Sequence, residues 1–483
     1  MNPRNLLRSA ICATLIPLSI AAASEKIPVT TSSKKALADY QDGVTLVDNL
    51  RLTDAIAHFQ KAVDEDPSFA LAYLYLAQSA ATAKEFFADL DKAQDLAAHA
   101  SHGEQLWITG FRTGAYGDPL TQRSLYQELV KAYPGDERAQ TLLGISYFGT
   151  QDFKQAAEHL NKAIEISPSY APAYNQLGYA YRSLNRFEDA ARTFKKYTEL
   201  LPSDPNPFDS YAELLLKMGK FEESISQYRK ALAINEHFMS SYAGIACALM
   251  YEDRHDEARA ELEKAYALAR NDGEKRGALF AMAVTYQDEG NMQGALDEIA
   301  KQYAIAETGN DPASMSGDLT FMGNILLQAG RLDEARAKFE ASAERIETSN
   351  LAKEVKENNA VFNHYNLARV LIAKGDIAGA ESETREVRRG ADEHKNANLV
   401  RLAHELSGTI LLEQKKYAKA IEELKASNLQ NPYNLYRLAL AYQGAGTKDE
   451  ARSYAGRAAK FYGIPSMNYA FIRKQALNLG TAI

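Results

Sequence analysis

"AYNQLGYAYRSLNRFEDAARTF", Ala173–Phe194, contains two amphipathic helical stretches joined by a short polar turn at Leu184-Asn185-Arg186. Gly178 stands inside the first stretch, where glycine costs about 1 kcal/mol relative to alanine. Such a residue persists when the missing side chain lets something come closer. Several marks recur around it at a spacing of 34 residues: Pro134, Pro168 and Pro202; Gly144 and Gly178; Tyr147 and Tyr181; Ala156 and Ala190. Self-similarity at a fixed period is the mark of a stacked repeat architecture. On this reading Gly178 and Ala190 explain each other. Two antiparallel helices cross closely where both residues are small, and large neighbours fill the holes.

The same marks run along most of the chain. "LTDAIAHFQKAVDEDP" gives Ala55, Phe59, Ala62 and Pro67, and "GRLDEARAKFE" gives Ala335 and Phe339. "GTILLEQKKYAKAIEELKASNLQNP" gives Gly408, Ala420, Leu424 and Pro432, and "TKDEARSYAGRAA" gives Ala451, Ala455 and Ala458. Acidic pairs such as Glu188-Asp189, Asp256-Glu257, Asp333-Glu334 and Asp449-Glu450 open second helices, where carboxylates suit the positive end of the helix dipole. Their repeated placement argues against paired catalytic acids.

Pattern and period resemble the tetratricopeptide repeat, whose signature is a large residue, Leu-Gly and Tyr in the first helix, then Ala, Phe and Pro. Those positions are Tyr174, Leu177-Gly178, Tyr181, Ala190, Phe194 and Pro202, with a departure at Tyr197, where a small residue is usual. The resemblance implies an all-α fold, a right-handed superhelical α-solenoid of about twelve helix-turn-helix units between Ala36 and about Gly463. Residues 70–136 are its most degenerate part, and "SMNYAFIRKQALNL" within 467–483 resembles a C-terminal capping helix. No stretch is left for a separate catalytic domain, so no enzyme is expected. The block "SDPNPFDSYAELLLKMGKFEESISQYRKALAIN" also resembles exported bacterial repeat proteins as a type.

The spacing then loosens. Ala258 to Ala295 is 37 residues, then 40 to Ala335, 45 to Ala380 and 40 to Ala420. Longer helices or loops are expected, notably at "ETGNDPASMSGD" and "SNLAKEVKENN". The array therefore divides near Asn271-Asp272-Gly273 into 36–272, mostly 34-residue units, and 273–466, with longer units.

The N-terminus has a different character. Arg4 and Arg8 precede the short apolar run "SAICATLIPLSIAAA", and Ala21-Ala22-Ala23 offers a cleavage motif. This is the order of a signal peptide over 1–23, followed by a linker over 24–35, and the run is too short to span a membrane. The expected location is periplasmic or secreted, with possible envelope association. Cleavage leaves Cys247 as the sole cysteine, so no internal disulfide forms, and its apolar setting suits a buried thiol. With 55 basic against 63 acidic residues and no basic run, a nucleic-acid partner is not expected.

Chemistry-bearing motifs are scarce. There is no phosphate loop, no H-E-x-x-H and no paired C-x-x-C. His99 and His102 lie three apart without a third ligand nearby, His404-Glu405 lacks a second histidine, and Trp107 sits among apolar residues. No cofactor or metal is expected. The remaining surface is the concave groove, which the resemblance lines with the second, fifth, ninth and twelfth residues of each unit. It places Thr141, Ile145 and Phe148 there, then Asn175, Tyr179 and Arg182, then Asp209, Glu213 and Leu216, and then Ala243, Cys247 and Met250. The groove candidates are Asn175, Tyr179, Arg182, Asp209 and Glu213, a mixture suited to an extended peptide with Tyr179 as anchor. Asp209 and Glu213 would repel a terminal carboxylate, which excludes the carboxylate-clamp subgroup. The expected function is a scaffold binding a peptide segment or a helical partner. The alternatives are a peptide-sensing regulator and a cell-wall or carbohydrate-associated binding protein.

Overall fold

The structure, a computed structural model, describes residues 26–482; the signal-peptide reading of 1–23 falls outside them. Among the described residues there are 25 helices and no strand. The first half contains α1 (Lys34–Asp48), α2 (Leu52–Glu65), α3 (Ala70–Ser79), α4 (Ala83–Ala97), α5 (His102–Ala115) and α6 (Pro119–Ala132). It continues with α7 (Glu137–Gly149), α8 (Phe153–Ile166), α9 (Ala171–Ser183), α10 (Phe187–Leu200), α11 (Pro205–Lys217), α12 (Phe221–Ile234), α13 (Met239–Tyr251) and α14 (His255–Leu268). Then come α15 (Asp272–Glu289), α16 (Met292–Thr308), α17 (Pro312–Gln328), α18 (Leu332–Glu347), α19 (Lys353–Lys374) and α20 (Ile377–Glu393). The last are α21 (Ala397–Glu413), α22 (Tyr417–Ala426), α23 (Pro432–Gly444), α24 (Lys448–Ala459) and α25 (Met467–Ala482). Successive helices pack as pairs, and each pair packs on the next, which makes an all-α solenoid.

The opening glycine has a different partner from the one the sequence suggests. A β-carbon at Gly178 would lie 2.4 Å from Cε1 and 2.5 Å from Cζ of Phe194, so its missing side chain houses that ring rather than Ala190. Ala190 is fully buried beside it. The relation recurs: Gly43 faces Phe59, Gly110 Tyr126, Gly144 Leu160, Gly323 Phe339 and Gly408 Leu424, each sixteen residues on, whereas Gly244 faces Tyr228, sixteen residues back. In these pairs a large side chain of the second helix enters a gap in the first, giving the close packing that offsets the local cost of glycine. The acidic pairs sit in the first turns of α10, α14, α18 and α24. Three of them also pair with the preceding cap arginine: Arg186 with Asp189 (2.6 Å), Arg254 with Glu257 (2.8 Å) and Arg331 with Glu334 (2.6 Å).

First helices α7, α9, α11 and α13 have 13 residues each, whereas α15, α17, α19 and α21 have 18, 17, 22 and 17. The extra length is helix rather than loop, and "KEVKENN" opens α19. One apolar core nevertheless runs across Gly273, from Ala212 through Leu262 and Val284 to Ile325, and includes Phe471 and Ile472 of α25.

The solenoid coils far enough for its successive turns to touch. Asn271 and Glu274 at the start of α15 meet Thr53 of α2, and Arg270 pairs with Asp54. Lys84 N–H donates to Asp311, Asn396 donates to the Gly117 carbonyl (2.9 Å), and Arg401 donates to that of Thr150 (2.7 Å). A β-carbon at Gly273 would lie 2.4 Å from the Ala81 carbonyl oxygen, so glycine is what lets two turns approach there. The described part of the linker, residues 26–33, is pinned to the first turn: the N–H of Ile27 donates to Asp136 (2.9 Å) and that of Thr30 to buried Glu104 (2.8 Å).

Candidate interaction groove

Two cavities adjoin at Gln430 and Ser466, each lined by residues of both first and second helices. One, of about 680 Å³, is lined by Arg182 of α9, Glu213 and Lys217 of α11, Phe187, and the non-helical segment Phe461–Ser466. The other, of about 620 Å³, is lined by Asn324 of α17 and by Phe362, Asn363, Asn366 and Arg369 of α19.

The five sequence-derived groove residues lie together on α9 and α11, but their polar groups are engaged by one another and by serines of the neighbouring helices. Tyr179 OH donates to Ser210 Oγ (3.2 Å), which donates to Asn175 Oδ1 (3.2 Å), and Asn175 is buried. The Arg182 guanidinium lies 4.6 Å from the Tyr179 ring centroid and donates to Glu213 Oε2 at 2.6 Å. Only Arg182 and Glu213 of the five line the cavity. The predicted stripe is also displaced by one residue further along: Leu216, Cys247 and Met250 are buried core, while Lys217 and Tyr251 reach the segment that crosses the groove. Cys247 is buried, and burial pushes its thiol up.

Asp209 is buried and accepts from Ser241 Oγ (2.6 Å) and Ser240 Oγ (3.2 Å). Burial first, and the nearby Glu213 charge second, push its carboxyl up to about 7 against these donors. The folded chain thus keeps a proton that the unfolded chain releases near pH 4. Its contribution is complete below pH 4 and is lost as pH rises through about 7. Asp209→Asn retains an acceptor oxygen without the charge. Thermal unfolding should show the variant gaining on wild type between pH 5 and pH 8, each tenfold in proton affinity being worth about 1.4 kcal/mol. An equal difference at both pH values would contradict the assignment.

In the second half, Arg369 donates to Asn324 Oδ1 (2.7 Å) and Asn366 Oδ1 (3.3 Å). Asn363 Oδ1 is buried at the cavity without a hydrogen-bond partner, and Phe362 is 46% exposed beside it. Sequence reading missed this row. Its signal was four asparagines in "KENNAVFNHYN", where asparagine is a poor helix former. Behind it, Glu405 is buried, and burial alone would raise its carboxyl. Arg437 (2.9 Å), Tyr365 OH (2.7 Å) and Asn434 (2.8 Å) outweigh that and hold it below the usual range.

The other candidates resolve into packing. Trp107 is buried edge-on against Tyr75, and His404 bonds Glu423 (2.8 Å). His102 sits 3.5 Å from Glu128. Among the described residues, one trio has metal-ligating spacing: Asp253, His255 and Asp288. Arg473 of α25 already donates to both aspartates, supplying the positive charge that a cation would.

Profiles described as tetratricopeptide repeat match residues 40–103, 137–203, 209–238 and 240–272. Those stretches of the first 272 residues are tetratricopeptide repeats. No curated protein matches it closely. Among solved structures, a MamA crystal structure is 23% identical, with 33% of this chain and 93% of that one covered and a TM-score of 0.29. PilF of Pseudomonas aeruginosa is 16% identical, covering 41% and 90%, with a TM-score of 0.33. YrrB, described as a TPR protein with an unusual peptide-binding site, is 19% identical, covering 37% and 91%, with a TM-score of 0.26. At these scores none carries an argument about this chain. Tetratricopeptide-repeat proteins bind protein or peptide partners and are typically non-enzymatic, so the repeats support a protein–protein interaction scaffold. No described helix is long and apolar enough to cross a membrane.

Proposed function

We propose that this tetratricopeptide-repeat protein is an exported scaffold that holds an extended segment of a protein partner inside its coil, in the periplasm or outside the cell. The observation that carries the reading is the row Asn324, Asn363, Asn366 and Arg369 beside exposed Phe362. An extended backbone presents alternating donors and acceptors, and Asn363 Oδ1 is an acceptor still without a donor. Phe362 offers an apolar contact for one side chain. Arg182 and Glu213 extend the polar lining on the first-half side of the coil. The carbohydrate alternative draws little support, because Tyr40, Tyr75, Tyr126, Tyr197, Tyr228 and Tyr469 are core residues.

Phe362→Ala/Asn363→Ala removes both contacts without breaking an internal hydrogen bond of Asn363 Oδ1. In-cell crosslinking should capture a partner with wild type and lose it at least about tenfold with the variant, equivalent to about 1.4 kcal/mol. Equal capture would overturn the groove assignment. Export is tested separately, by fractionation and mass measurement. The mature chain should begin at Ser24 in the periplasmic or secreted fraction, whereas an unprocessed cytoplasmic pool would favour the peptide-sensing regulator.

A further inference from the structure

The segment Phe461–Ser466 between α24 and α25 is non-helical and runs across the first-half groove. Its backbone carbonyls are bound by side chains of first helices: Lys217 Nζ of α11 donates to Phe461 O, and Tyr251 OH of α13 donates to Gly463 O. Its aromatic side chains are bound as well. Lys217 Nζ lies 3.8 Å from the Phe461 ring centroid. The Tyr462 ring stands edge-on to Phe221 of α12, with centroids 5.0 Å apart, and lies 5.5 Å from that of Tyr251. Side-chain donors to main-chain carbonyls, with pockets for the side chains, are how a groove holds a foreign peptide. A second observation points the same way. Tyr462 has φ of 40°, a left-handed conformation unfavourable to a residue bearing a β-carbon. Such a conformation persists where surrounding contacts over-determine it.

We propose that Lys217, Phe221 and Tyr251 form a receptor site for an extended polypeptide segment carrying adjacent aromatic residues, and that Phe461–Ile464 is its resident occupant, displaced when a partner segment of that chemistry enters. The inference rests on the reading of the coil interior as a polypeptide groove, and it adds what one part of the groove selects and how entry is controlled. Aromatic rings supply most of the contact, Lys217 adds a cation over one ring, and the two carbonyl contacts fix the direction of the segment. The occupant is tethered at both ends, by α24 and by α25. A short tether corresponds to an effective concentration of about millimolar. A free segment therefore binds the filled groove weakly and the vacated groove well.

The test uses the full chain and a fluorescent, end-capped peptide with the sequence of Lys460–Ser466. Phe461→Ala/Tyr462→Ala vacates the groove, and the peptide should bind this variant at least tenfold more tightly than wild type. Adding Lys217→Ala to the variant should abolish the gain. Equal binding to wild type and variant, or none to a variant with wild-type circular dichroism, overturns the proposal. A second measurement needs no substitution. Hydrogen exchange at 461–466 of the wild-type chain should accelerate when excess peptide is added, and unchanged exchange at millimolar peptide overturns the displacement. Partner capture through Phe362 and Asn363 stands or falls independently of both results.

Discussion

Arg473→Ala is expected to destabilise the C-terminal part of the chain by about 3–5 kcal/mol, the cost of stranding a buried charge. Arg473 is 3% exposed. Its guanidinium donates to Asp288 at 2.7 and 2.6 Å and to Asp253 at 2.6 Å, joining α25 to α15 and to the turn after α13. Removing it leaves the Asp288 carboxylate buried with His255 at 2.9 Å as its remaining partner. Burial alone would raise the Asp288 carboxyl, but the hydrogen bonds from His255 and Arg473 together hold it below its ordinary value. Its stabilising contribution is therefore complete above about pH 4 and is lost as pH falls through the lower folded value. Arg473→Ala should lose this acid-side dependence, and Asp288→Asn in the same chain should restore much of the stability by removing the stranded charge. Urea unfolding at pH 7 measures both. An unchanged midpoint for Arg473→Ala would mean that the ion pair does not hold α25 in place.

Gly178→Val should cost about 1–3 kcal/mol through overpacking. The new β-carbon would fall 2.4 Å from the Phe194 ring, and both residues belong to the packed interior of the α9/α10 pair. Truncating the ring, Phe194→Ala, leaves a cavity and should cost about 3–5 kcal/mol. The two changes share one space. Gly178→Ala with Phe194→Leu should therefore cost less than the sum of the two single changes, and thermal unfolding of the four chains gives the coupling directly. Additive costs would show that the glycine serves something other than the ring.

How much of this was legible in the sequence varies with the kind of contact. Helix pairs follow from local period, and Gly178, Ala190 and Phe194 mark one pair because each residue acts within a few ångströms of its repeat partner. Even there the specific neighbour was misassigned. A sixteen-residue offset between helices is less visible than two small residues at a crossing. The lining of the groove was harder to read. A face rotated by one residue turns Lys217 into the cavity lining while burying Leu216, and periodicity alone does not settle that rotation. The hydrogen bonds that tie Tyr179 and Asn175 to Ser210, Arg182 to Glu213, and Asp209 to Ser241 are invisible in a repeat pattern, because they join neighbouring units. Contacts between coil turns, such as Thr53 with Glu274, lie beyond any local signal.

A photo-crosslinking residue in place of Phe362 tests the central claim most directly, compared in cells with the same residue in place of Ala337, which is exposed on α18 and lines neither cavity. If the inside of the coil holds the partner, a specific protein adduct forms from position 362 and not from 337. Adducts from 337 alone, or equally from both, would place the partner on the outer surface and contradict the groove account.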